Sequence, residues 1–246
     1  MRTGALFRLA VLVLLCVFLA RPDWFAWLFA PLTRNGQAAI YTQNSLLNLT
    51  LNHLAIVFAA TLAGSFVAIG LAILVTRPAG REFLPLSRTL ANAGQTFPPV
   101  AVLALAVPVL GFGTAPALLA LFLYGLLPIF ENALAGLASV SPEVQEAARG
   151  TGMTDGQRLL RVELPLALPT ILAGIRISAI ISMGTATIGS TVAASTLGET
   201  IIAGLINSNL AFVAQGALVV GALAIIVNTS LFAIEHRFSR YRRDQR

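Results

Sequence analysis

The chain has 246 residues, of which 57% are apolar and only 11% charged, with a formal net charge of +6 and a mean hydropathy of +0.84. A water-soluble domain carries roughly a quarter charged residues, so this composition excludes a soluble globule and requires the bilayer as a second, apolar solvent. The positive charge is no nucleic-acid signature: all 16 basic residues are arginines and they sit between apolar runs, as the positive-inside rule expects of membrane loops.

The first apolar run is Leu9 to Ala20, preceded by Arg2 and Arg8. Its length and basic start resemble a signal peptide, but Phe18 stands where cleavage after Ala20 would want a small residue, so a retained helix is expected. Cys16 lies within it and is expected to be a small buried hydrophobe; a single cysteine excludes a disulfide framework. The stretch from Arg21 to Asn44 is polar and carries Trp24 and Trp27, suited to a membrane interface.

Further runs follow at about His53 to Val75, Thr89 to Leu110 and Ala115 to Ala138. The first of these stops at Thr76-Arg77-Pro78-Ala79-Gly80-Arg81. The next is interrupted by Pro98-Pro99 and Pro108, and a tight turn at Gly111 to Thr114 leads into the last, which contains Pro128. A polar segment, Ser139 to Glu163, precedes a fifth run at about Leu166 to Ala194. The sixth is Phe212 to Ile234, with a mixed segment, Ser195 to Leu210, that reads as a short re-entrant or interfacial helix. The expected fold is an all-α membrane protein with about six transmembrane helices. Residues 1–45 form an N-terminal helix and outer-side linker, and residues 46–246 a core with a loop at 139–165.

Orientation follows from the arginines. With the N terminus inside, one side carries Arg2, Arg8, Arg77, Arg81, Arg88, Arg149, Arg158, Arg161, Arg237, Arg240, Arg242, Arg243 and Arg246, and the other only Arg21 and Arg34. Both termini and the Ser139 to Glu163 segment are therefore expected on the cytoplasmic side of the membrane.

That segment has more structure than a connector needs. Ser141 suits an N-cap, Pro142 the first helical position and Glu143 the positive end of the dipole. Gly150-Thr-Gly152 stops this helix, and Thr154 with Gln157 spells a capping box for another. Val144, Ala147, Ala148 and Met153 give it a small apolar surface, which fits either an ordinary polar loop or a docking site.

Glu146-Ala147-Ala148, then Gly152, then Val162-Glu163-Leu164-Pro165 resembles the EAA signature of bacterial ABC importer permeases, with Val162 where isoleucine is commoner. The resemblance implies a MetI-like permease core with a cytoplasmic coupling helix that docks on an ATPase subunit through Val144, Glu146, Ala147, Ala148, Gly150, Gly152 and Met153. It extends over about His53 to Phe238. The stretches Gln95-Thr-Phe-Pro-Pro99, Leu126-Leu-Pro128 and Gly184-Thr-Ala-Thr-Ile188 are similar to the osmoprotectant branch, which imports glycine betaine, choline or related quaternary amines. One departure is Ala193-Ala-Ser-Thr-Leu-Gly198, where that branch usually has Gly-Ala-Gly-Gly-Leu-Gly. Lying on the expected outer side, it bears on substrate delivery or identity and not on energy coupling.

The chain has no lysine, so it has no P-loop, and no catalytic, cofactor-binding or metal-ligating constellation is legible. His53 and His236 read as interfacial histidines near span ends. The resemblance places ATP and Mg on the partner ATPase, present in two copies, and implies a second permease subunit, identical or a sibling. It also implies an external substrate-binding protein that delivers solute for alternating access.

For the translocation path, Ser178, Ser182, Thr185 and Gly189 share one helical face, and Phe97 adds an aromatic. A pore wall and a close helix contact both need small side chains, so the pattern fits either. Glu131 and Arg176, charged within spans, fit snorkelling or a mutual pair. A self-contained ion-coupled transporter is the rival reading of another class, but neither inverted repeats nor midplane acids are evident.

Overall fold

In lipid the backbone must satisfy its own hydrogen bonds, and every apolar run here is helical in the computed structural model, which describes residues 2–34 and 36–243. The helices are α1 (Arg2–Ala20), α2 (Ala26–Phe29), α3 (Leu46–Thr76), α4 (Leu84–Thr96), α5 (Pro99–Leu110), α6 (Thr114–Ala138), α7 (Pro142–Gly150), α8 (Asp155–Arg158), α9 (Leu164–Thr185), α10 (Gly198–Ile206) and α11 (Leu210–Arg243). Arg246, counted among the cytoplasmic arginines, lies outside the described residues.

Among the described residues four helical stretches are long and apolar enough to cross a membrane: Leu46–Thr76, Thr114–Ala138, Asp155–Val192 and Leu210–Ser239. The count reaches six when two broken pairs are each taken as one span. In the first pair, Arg8–Ala20 and Pro22–Leu32 meet at 110°, because Arg21 leaves the helical region (φ −140°, ψ 67°) ahead of Pro22. The third apolar run likewise breaks into α4 and α5: Phe97 and Pro98, each followed by proline, are extended, with ψ of 135° and 138°.

The chain forms two compact units, and α3, α6, α9 and α11 each contribute to both. One comprises Met1–Ala60, Pro98–Leu121 and Ile180–Thr229. Its core gathers Leu15 and Phe18 of α1, Leu49, Ile56 and Val57 of α3, Met183, Leu197, Phe212 and Val219. Two expectations fail here. Cys16 is exposed, on the face of α1 turned away from Leu15 and Phe18. His53 is no interfacial histidine: α3 starts seven residues before it, and its fully buried ring meets the Met183 carbonyl at 3.1 Å. His236, by contrast, is exposed and stacks on Phe232.

The other unit comprises Thr61–Phe97, Phe122–Ala179 and Ser230–Arg246. Its core is built largely of small residues, with Ala68, Ala72, Ala91, Ala133 and Ala167 around Ile129, Phe130 and Ile171. Such residues let backbones approach closely, which is the main packing device where lipid offers no hydrophobic drive. At Gly174 of α9 an added Cβ would lie 2.6 Å from Asn132 Cβ and 2.8 Å from the Pro128 oxygen.

Glu131 and Arg176, the two charges read within spans, are both paired. Glu131 meets Arg88 through two bonds of 2.6 and 3.0 Å, and Arg176 meets Glu235 at 3.0 Å with its guanidinium over the Phe232 ring. Glu131 and Arg176 thus take other partners than each other, since α4 and α11 carry the complementary charges.

Candidate functional site

The segment between α6 and α9 folds largely as its caps dictate. Ser141 occupies the N-cap of α7 in extended conformation, with Pro142 next. Its hydroxyl does not cap the helix, contrary to expectation. It meets the Glu143 carboxylate instead and, with that residue's backbone N–H, holds Glu143 below the usual carboxylate range.

The far end is a Schellman closure. The Gly152 N–H donates to the Arg149 carbonyl at 2.9 Å and the Met153 N–H to the Ala148 carbonyl at 3.3 Å. Gly152 sits at φ +79° with open space where a Cβ would go, so the requirement for glycine is conformational and not steric. The Thr154–Gln157 capping box is present in both directions.

The second short helix runs through a π turn, Leu159–Glu163, directly into α9. Residues five apart diverge on an α-helix, but a π turn closes i→i+5 and brings them together. Arg158 Nε accordingly donates to Glu163 Oε1 at 2.9 Å. Arg77, just past the end of α3, grips the same carboxylate through both terminal nitrogens. The side chains of Glu163 and Arg158 are 5% and 8% exposed and that of Arg77 24%, so one buried carboxylate ties the loop to the end of α3. Arg158 also meets Asp155, which is 85% exposed, at 3.0 Å. Sequence reasoning missed this node, although Glu163 stands in the quoted motif.

Of the seven residues read for docking, Val144, Glu146, Ala147, Gly150 and Gly152 are exposed and Met153 is half-buried. Ala148 is buried and faces its own chain. It is the single buried residue of α7.

The Gln95 to Pro99 and Leu126 to Pro128 stretches prove to be one structural device. Pro128 has no N–H, so the Tyr124 carbonyl four residues earlier loses its helical partner. Gln95 Nε2 replaces it at 2.9 Å, while the Tyr124 hydroxyl donates to the Phe97 carbonyl at the α4 break. The side chain of Phe97 itself is 53% exposed.

Along α9, Ser178 and Ser182 are fully buried, and a Cβ on Gly125 would lie 2.5 Å from Ser178 Oγ. Gly189 is buried against Ala117 and Ala194, and Thr185 is half-buried. Ser178, Ser182 and Gly189 are thus enclosed by their own chain, while Thr185 keeps some surface.

Residues 60–243 match the family described as binding-protein-dependent transport system inner membrane component. The chain belongs to this family. It is 43% identical over 197 residues to the osmoprotectant import permease protein OsmY of Salmonella typhimurium, covering 80% of this chain and 84% of that protein. It is 38% identical to the carnitine transport permease protein OpuCB of Listeria monocytogenes (80% and 89% covered). The choline transport system permease protein OpuBB of Bacillus subtilis is 37% identical (79% and 88% covered). Among solved structures, the inward-facing MetNI methionine ABC transporter shares the fold, with a TM-score of 0.71 at 22% identity over 78% of this chain and 95% of that one. A transport-system inner membrane component is a permease subunit, not an enzyme. The multi-pass helices fit an inner membrane component.

Proposed function

We propose that the chain is the permease of an ABC importer for an osmoprotectant bearing a quaternary ammonium group, such as glycine betaine or choline. The observation that carries this reading is the 43% identity over four-fifths of the chain to an osmoprotectant import permease. Residues 46–246 form the permease core and residues 1–45 an added helix and outer-side linker. The arginine asymmetry puts both termini, and the 139–165 loop, in the cytoplasm.

There a pair of ATPase subunits, which hold ATP and Mg, dock on α7 through Val144, Glu146, Ala147, Gly150, Gly152 and Met153, with Ala148 anchoring the helix to its own chain. An external binding protein delivers the solute to a path formed with a second permease subunit, identical or a sibling. Phe97 and Thr185 keep accessible surface for that path, whereas Ser178 and Ser182 of α9, and Gly189 just beyond it, pack against their own chain.

Reconstitution tests the reading. Proteoliposomes containing this chain, its ATPase and its binding protein should accumulate radiolabelled choline or glycine betaine only with ATP. Uptake by this chain alone under an ion gradient would sink it.

A further inference from the structure

We propose that the cavity between Tyr41 and Glu199 binds a compact organic ammonium cation. The site lies in the unit formed by the N-terminal segment, α10 and the first half of α11. Among the described residues Glu131, Asp155, Glu163 and Glu235 are each in an ion pair; of the acids that are not, Asp23, Glu82, Glu143 and Glu146 are exposed and Glu199 is half-buried. Glu199 is held by neutral donors alone: the Tyr41 hydroxyl at 2.8 Å and the Asn44 amide at 3.5 Å. These contacts orient the charge without cancelling it. Burial, and then the carboxylate itself, push the Tyr41 phenol above its ordinary value, so it stays a donor. Position in the first turn of α10 explains why a negative charge is tolerated, but not why a cavity opens beside it.

That cavity measures about 240 Å³ and pairs an aliphatic wall of Ile202, Ala203 and Ile206 with polar groups at Gln43, Ser190 and Asn207. Drug-sized ligands occupy roughly 300–1,000 Å³, so this one suits a solute of a handful of heavy atoms. An apolar wall facing an unneutralised carboxylate matches an alkylated ammonium, which carries charge but offers few or no hydrogen-bond donors.

Both sides of the site are pinned from behind. Gln215 accepts the Tyr41 N–H at 3.1 Å and donates to the Ala39 carbonyl at 2.7 Å. Gln37 reaches the Asn207 carbonyl at 2.8 Å. Opposite, Thr196 Oγ1 bonds the Ala186 carbonyl at 3.0 Å, meets Ser190 Oγ at 2.7 Å and takes the Gly198 N–H at 3.2 Å. At Gly198 a Cβ would lie 1.8 Å from the Thr187 oxygen, so the chain crosses in contact and fixes where Glu199 projects. Thr196 falls in the Ala193 to Gly198 run that departs from the glycine-rich pattern; here the hydroxyl does the bracing. Such support is what a preformed site needs.

The cation's identity as the transported solute rests on the proposed function; the existence of the site does not. The test uses the purified full chain in lipid nanodiscs, with tetramethylammonium as the NMR saturation-transfer probe. Glu199→Gln keeps the shape and an acceptor for Tyr41 but removes the charge, and should weaken binding at least tenfold. Tyr41→Phe should weaken it less. Choline should displace the probe, and its neutral isostere 3,3-dimethyl-1-butanol should not. Unchanged binding in Glu199→Gln, equal displacement by the neutral isostere, or no saturable binding to the parent chain would each overturn the proposal. A reconstituted importer that ignores quaternary amines while the nanodisc result holds would overturn the transport reading and leave the site standing.

Discussion

Replacing Glu163 by glutamine asks the most of the structure, because it removes one charge from a buried group of three. The side chains of Glu163 and Arg158 are almost wholly enclosed, so Glu163→Gln leaves two guanidinium groups facing a neutral amide. Breaking a buried pair by removing one partner costs about 3–5 kcal/mol, much of it the stranded charge. The lower end applies, since Arg77 is a quarter exposed and Arg158 retains Asp155. At about 3 kcal/mol the melting temperature of a chain this size should fall by roughly 6–12 °C. Arg77→Gln leaves the Arg158–Glu163 pair intact and should cost only about 1–2 kcal/mol, near the penalty for an unmet buried hydrogen bond. The double variant should be less destabilised than the two singles added together, by about 1 kcal/mol or more, as residues sharing one network are. Equilibrium unfolding in mixed micelles with increasing anionic detergent measures all three. A coupling within about 0.5 kcal/mol of zero would show that the carboxylate does not join loop and helix, and the clamp argument would fail.

Three further outcomes follow from single contacts. Gln95→Leu should cost about 1–3 kcal/mol by orphaning the Tyr124 carbonyl; in a Pro128→Ala background, where the residue 128 N–H returns to that carbonyl, the same change should cost less, and an equal cost would refute the pairing. Gly174→Ala should cost about 1–3 kcal/mol from overpacking against Asn132 and Pro128, while Gly221→Ala, with open space around it, should not destabilise; equal melting of the two variants would contradict the close approach. Gly152→Val should lower ATP-coupled uptake while the spans stay folded, because a β-branched residue at φ +79° strains the Schellman closure by about 1–2 kcal/mol or more. Gly152→Asn, a residue that tolerates the left-handed region, should retain most of the uptake; retention in Gly152→Val would mean that the loop geometry does not transmit.

Much of the fold was legible in the chain because the bilayer imposes a one-dimensional rule. Twenty apolar residues between polar ones must be helical, and α3, α6, α9 and α11 fall on the expected runs; α3 starts and α11 ends well beyond them, and α9 gives way to a tighter 3-10 segment at Ala186–Val192 before the expected end. Caps are equally local: Pro142, the Gly150 to Gly152 stop and the Thr154–Gln157 box all act within one turn of chain, and all are found where the residues predict. Proline dipeptides announced a break near residue 98. The Ser141 side chain was misjudged because its hydroxyl can either accept a backbone N–H as a cap or donate to the Glu143 carboxylate, and it does the second.

Tertiary structure alone decided what depends on residues far apart in sequence. Arg77 and Glu163 are 86 residues apart, and no periodicity marks them as partners. The choice of Arg88 for Glu131 and Glu235 for Arg176 is of the same kind, since charge says only that a partner is needed. Burial of Ser178 and Ser182 was equally undecidable, because small side chains look alike whether they line a gap or close one. Tyr41 and Glu199, 158 residues apart, share a cavity only because Gln215 and Thr196 hold two distant segments in place. The single dimension of the sequence determined what must lie in lipid and where helices start and stop; which buried charges and hydroxyls meet was set by packing in three.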